Sequence, residues 1–102
     1  MTHINVQKNA PSLLQREWSD YCEALVGKYV SLTMQFTTNV WIIDSSNYIY
    51  QISSGSSIEG LVTHIDYRHM AETVSLLDTS GRHVQLNLTA HELRTAKVLG
   101  QG

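Results

Sequence analysis

Residues 58–93 constrain the fold more than any other stretch, because they read as three successive antiparallel strands with turn chemistry between them. The first, Ile58-Glu59-Gly60-Leu61-Val62-Thr63-His64-Ile65-Asp66, is rich in β-branched residues. The second is Thr73-Val74-Ser75-Leu76-Leu77-Asp78, reached through a connection over residues 67–72. Ser80-Gly81 marks a hairpin turn, and Val84, Leu86 and Leu88 alternate with Gln85 and Asn87 in the third. Gly60 weakens a strand unless the chain bends there or another backbone comes close. A bent antiparallel barrel, closed or half-closed, is the expected outcome, since closure removes exposed edges.

The residues before this stretch form a lead-in and an insertion. Ser12 and Gln15 fit a capping box, and Leu14, Trp18, Tyr21, Cys22 and Leu25 recur at helical spacing. Arg16, Glu17, Asp20 and Glu23 take the other side, so a helix is expected over residues 12–26, stopped by Gly27. Residues 29–36 alternate, with Val30, Leu32, Met34 and Phe36 on the apolar face. Val40-Trp41-Ile42-Ile43 and Tyr48-Ile49-Tyr50-Gln51-Ile52 flank Asp44-Ser45-Ser46-Asn47, which predicts a hairpin over residues 40–52. Thr89-Ala90-His91-Glu92-Leu93 fits one helical turn, residues 95–99 a last short strand, and residues 100–102 a fraying tail. Residues 1–10 are expected to form a flexible arm, and 11–102 a single domain.

Charge and composition narrow the functions. Nine acidic and seven basic residues give a net charge of −2, whereas a phosphate-binding domain usually carries a basic footprint. The apolar runs are too short to span a bilayer, and no charged-then-apolar leader opens the chain. The single cysteine, Cys22, excludes an internal disulfide and fits a reducing cytoplasm. Its place on the apolar helix face points to a buried structural thiol.

The order of elements resembles the Sm-like (SH3-like) barrel: an N-terminal helix, then five bent strands with a helical turn before the last. Glu59-Gly60 with Asp66 six residues after the glycine, then His69-Met70, looks like the first Sm motif. That motif expects asparagine after the methionine, where Ala71-Glu72 stands. The arginine-glycine pair of the second motif is replaced by Thr89-Ala90-His91-Glu92. Residues 37–57 are an insertion where the family joins its first two strands by a tight turn. Within the family the chain is most similar to the Rof group, through Trp18-Ser19-Asp20-Tyr21-Cys22, Glu72-Thr73-Val74 and the Gly81 turn. The resemblance implies inhibition of the Rho transcription terminator type: regulation by protein contact, not by RNA binding.

Two sets of residues are candidate binding sites. Asp66, Tyr67, Arg68 and His69 concentrate polar and aromatic groups on a connecting loop, where an aromatic can stack on a base and an arginine can hold a phosphate. Trp41, Tyr48 and Tyr50 in the insertion have the amphipathic rings favoured at protein interfaces. His3, His64, His69, His83 and His91 lack metal-ligand spacing, so no metal, cofactor or catalytic residue is expected. The leading expectation is a non-enzymatic binding or regulatory protein acting through protein contacts, with a homo-oligomer as one arrangement. An RNA or single-strand binding module is the second, and a small-ligand or metal-dependent enzyme the third.

Overall fold

The computed structural model describes residues 13–43, 49–67 and 72–101. The expected arm, the Ser12 cap, the 44–47 turn, Tyr48, Arg68 and His69 lie outside the described residues. The chain is mainly β, with helix α1 (Leu13–Leu25) followed by β1 (Lys28–Thr33), β2 (Thr38–Ile42), β3 (Ile49–Ile52) and β4 (Ser57–Asp66). Then come β5 (Glu72–Asp78), β6 (His83–Leu88), the short helix α2 (Ala90–Arg94) and β7 (Lys97–Gln101). No helix among the described residues is long and apolar enough to cross a membrane.

The amphipathic spacing of α1 is realised as expected. Cys22 and Leu25 are buried and Trp18 and Tyr21 half-buried, while Arg16, Glu17, Asp20 and Glu23 are exposed. Gly27 ends the helix at a positive φ of 90°, and its N–H crosses to the Val62 carbonyl on β4 at 2.8 Å.

All ladders are antiparallel, and the strand order is β3-β2-β6-β5-β4-β1-β7. Closure by strand pairing is not made, and β3 and β7 are the sheet's two edges. The physical reason lies in the inserted hairpin: β2 occupies the second edge of β6, pairing Val40 with Leu86 and Ile42 with Val84. The sheet nevertheless curls. Tyr50 of β3 borders the same cleft as Ser57, Ile58 and Glu59 of β4, although four ladders separate the two strands. The concave side is the core, with Val30, Leu32, Val62, Val74, Leu76, Val84 and Leu86 buried.

Gly60 sits where two backbones come close. A Cβ there would run into the Leu77 carbonyl oxygen and lie 3.1 Å from its carbon. The β4–β5 register slips between Val62 and His64, a bulge that adds to the bend.

Two expectations at strand ends need correction. Val30, Leu32 and Met34 are buried, but Phe36 is 64% exposed. The β1 alternation stops because the Gln35 N–H leaves the ladder and donates to Glu92 Oε2 at 2.7 Å. At the C-terminal side, Gly100 and Gln101 are not a fraying tail but pair with Tyr29 and Lys28. The helical turn continues through Thr95 and Ala96, whose N–H groups bond to His91 and Leu93, so β7 starts and ends later.

Candidate functional site

Among the described residues, the candidates Asp66, Tyr67, Trp41 and Tyr50 do not converge on one site. Strands β4, β5 and β6 run between two ends of the molecule, and β4 alone spans about 30 Å at the strand rise. At one end α1 packs. Tyr67, just past β4, donates its hydroxyl to Glu23 Oε2 at 2.8 Å and accepts from Ser19 Oγ at 2.9 Å. Its ring packs against the core. Tyr21 donates to the Leu93 carbonyl at 2.7 Å, and Arg94 covers the Trp18 ring at 5.3 Å. Three side chains, Tyr67, Tyr21 and Arg94, therefore tie α1 to the end of β4 and to α2. Asp66 ends β4, paired with Thr73, and borders a depression of about 270 Å³ with His64, Ile65 and Tyr67.

Cys22 is fully buried beneath α1. Burial, then the Glu72 and Glu23 carboxylates, push its thiol up to about 11, so it is protonated at neutral pH. Among the described residues no group of three or more His, Cys, Asp or Glu side chains is placed to hold a metal ion. His83 Nε2 lies 2.9 Å from Thr63 Oγ1, with the imidazole's role set by its tautomer, and the same hydroxyl lies 3.2 Å from the Ser75 carbonyl oxygen.

The other end holds a cleft of about 360 Å³, bordered by Tyr50, Ile52, Ile58, Glu59, Asp78 and Arg82, with Ser57, Thr79 and Ser80. The Asp78 side chain is almost buried, and its Oδ1 accepts the Ser80 and Arg82 N–H groups, each at 2.9 Å. Its Oδ2 holds Arg82 through Nε and Nη2, both at 3.1 Å. The guanidinium lies 5.2 Å from the Tyr50 ring centroid.

Trp41 is elsewhere. In the β2–β3 ladder Val40 faces Tyr50 and Trp41 faces Ile49, so Tyr50 points inward with Val40 and Trp41 points outward. On that outer face Tyr29, Leu61, Leu77 and His83 are successive cross-strand neighbours. Trp41, Gln85 and Ser75 form the adjoining row. Tyr29 is 45%, Leu77 38% and Trp41 46% exposed, and Ile43 beyond β2 is exposed too.

Sequence reasoning missed Tyr29, Leu77, Asp78 and Arg82. Leu76-Leu77 in a half-buried strand did signal an apolar residue on the outer face, whereas nothing local marks the Tyr50–Arg82 contact. No protein-family model, curated protein or solved structure matches the chain.

Proposed function

We propose that this chain is a non-enzymatic binding module that acts through protein–protein contact, with its outer sheet face as the docking surface. The observation that carries this reading is the apolar outer row of Tyr29, Leu61 and Leu77, flanked by Trp41 and Ile43. Contiguous apolar surface rimmed by polar residues marks interaction sites, and tryptophan and tyrosine supply most interface anchors.

The Sm-like reading is supported at the root of the insertion. Gly55 donates to the Met34 carbonyl at 2.7 Å, Met34 donates to the Ser56 carbonyl at 2.9 Å, and Gly55 has φ 87°. These are the bonds of a type I turn with a glycine bulge, which two residues would complete. With residues 35–54 set aside, five strands remain in the order β7-β1-β4-β5-β6, joined as the family joins them. On this reading the Rof resemblance favours a regulator that grips a component of the RNA or transcription machinery in the cytoplasm.

The test is affinity capture of host proteins by the full chain, with and without nuclease, beside the Trp41→Glu and Leu77→Glu variants. A partner that survives nuclease and is lost with both variants is the expected result. Recovery of RNA alone, or a partner indifferent to both substitutions, overturns the reading.

A further inference from the structure

We infer that the open edge of β3, with the Tyr50–Arg82 cleft beside it, binds an extended acidic segment of a partner protein as an added strand. This contact is separate from the outer face and does not depend on it.

The two edges of the sheet are not alike. Edge strands invite pairing unless charge, proline or a bulge blunts them. β7 carries Lys97, and its ladder with β1 is broken by a shift between Tyr29 and Val30. β3 reads Ile49-Tyr50-Gln51-Ile52, with no charge and no proline, and its register with β2 is unbroken over all four residues. Among the described residues no strand lies on its other side. Four residues at the strand rise present about 13 Å of main chain, which suits an extended peptide of similar length. Main-chain bonds along such an edge give affinity, and pockets for alternate side chains give specificity.

The cleft sets which segment fits. The curl of the sheet brings Ile58 of β4 to the same gap of about 360 Å³ as Tyr50 and Ile52 of β3. A strand added to β3 turns every second side chain toward this gap, where these three residues offer an apolar wall. Among the described residues that border it, Arg82 is the only cation. Its partner Asp78 is almost buried, with 6% of its side chain exposed, whereas Arg82 is 45% exposed. Glu59 alternates with the buried Ile58 and pairs with Ser31, so its carboxylate lies on the outer face. The exposed charge on the inner side is therefore positive. Asp78 and the Tyr50 ring already hold the guanidinium, so it receives a carboxylate with little loss of freedom. A segment with glutamate or aspartate between apolar residues on its inward face matches the edge, the wall and the charge.

The experiment is an amide-resolved NMR titration of the full chain with acetyl-Val-Thr-Glu-Thr-Val-amide, whose glutamate and valines share one face. Saturable shifts at residues 49–52, 57–59 and 79–82, with slower hydrogen exchange in β3, are the expected result. The same peptide with glutamine for glutamate should bind about tenfold more weakly, the effect of losing one charge-assisted contact. In Arg82→Gln that difference should vanish, and because it is a ratio of two peptides on one protein, a loss of stability does not imitate it. Two further compounds should show no saturable shift up to about 5 mM. One is acetyl-glutamate methylamide, which keeps the carboxylate without the strand. The other is the pentapeptide N-methylated at glutamate and at the threonine after it, since successive amides point to opposite sides and one of the two faces β3. No saturable shift with the parent peptide up to about 5 mM overturns the assignment. Equal binding of the glutamine, methylated or single-residue compound overturns it as well. Shifts at residues 49–52 that depend on chain concentration without peptide would give the edge to a second copy and overturn it too.

Discussion

At the residue scale, Cys22 links packing to pH. Its thiol is raised from 9.0 to about 11, first by burial and then by Glu72 and Glu23. A raised folded-state pKa gives a contribution that is complete below pH 9 and is lost as pH rises through 11. The size of that loss is on the order of 3 kcal/mol, at 1.36 kcal/mol per pH unit. Tyr21, raised above 10.0 by burial and by Cys22 and lowered in part by Arg94, acts in the same direction at higher pH. Urea midpoints measured from pH 8 to 11 should therefore fall for the parent chain. In Cys22→Ala they should start lower, by roughly 1–2 kcal/mol for the lost core atom, and stay nearly flat between pH 9 and 10. Parallel profiles would show that the thiol is not the titrating group. The burial of Cys22 was legible in the sequence because it shares a helical face with Trp18 and Leu25. The partners of Arg82 were not, because its contact with Tyr50 depends on how the sheet curls.

At the scale of elements, Glu92 joins two segments that are far apart in the chain, the start of α2 and the end of β1. The buried carboxylate accepts the Thr89 N–H at 2.8 Å while Thr89 Oγ1 caps the Glu92 N–H at 3.1 Å, which completes the capping box of α2. Its second oxygen takes the Gln35 N–H at the start of the insertion. Glu92→Ala leaves two backbone donors without partners, and the expected cost is about 3 kcal/mol. Glu92→Gln keeps one acceptor and should cost about half as much. Chemical denaturation gives both values, and hydrogen exchange at the Gln35 amide should speed up in the alanine variant alone among ordered β1-end amides. An unchanged Gln35 exchange rate would rule out the link. The helical turn itself was visible in Thr89-Ala90-His91-Glu92, since a cap and its acidic partner are three residues apart. The link to Gln35 was not, because one face of a five-residue helix carries no signal about its neighbour. Likewise Tyr67 reads as a loop aromatic in sequence, while Ser19 and Glu23, its hydroxyl partners, lie on a helix more than forty positions away.

For the whole molecule, the inserted hairpin decides which edges the sheet presents. The β-branched and aromatic runs on either side of Asp44-Ser45-Ser46-Asn47 made the hairpin itself legible, but only the three-dimensional register shows that its first strand lies on β6. There it covers Val84 and Leu86 and leaves the edges to β3 and β7. Replacing residues 35–54 with a two-residue type I turn such as Asn-Asp, in front of Gly55, preserves the bonds that Met34 makes to Gly55 and Ser56. The shortened chain should fold, because β1 and β4 keep their register from Thr33↔Ser57 to Tyr29↔Leu61. It should also be less stable by several kcal/mol, since Val40 and Ile42 no longer cover the core and the Gln35–Glu92 bond is gone. The freed β6 edge is an unpaired row of N–H and C=O groups beside newly exposed apolar side chains, which is a template for another strand. Sedimentation should therefore show concentration-dependent self-association absent from the parent chain. A shortened chain that stays monomeric at the same concentrations and keeps the parent's stability would mean that the hairpin is not what protects this edge.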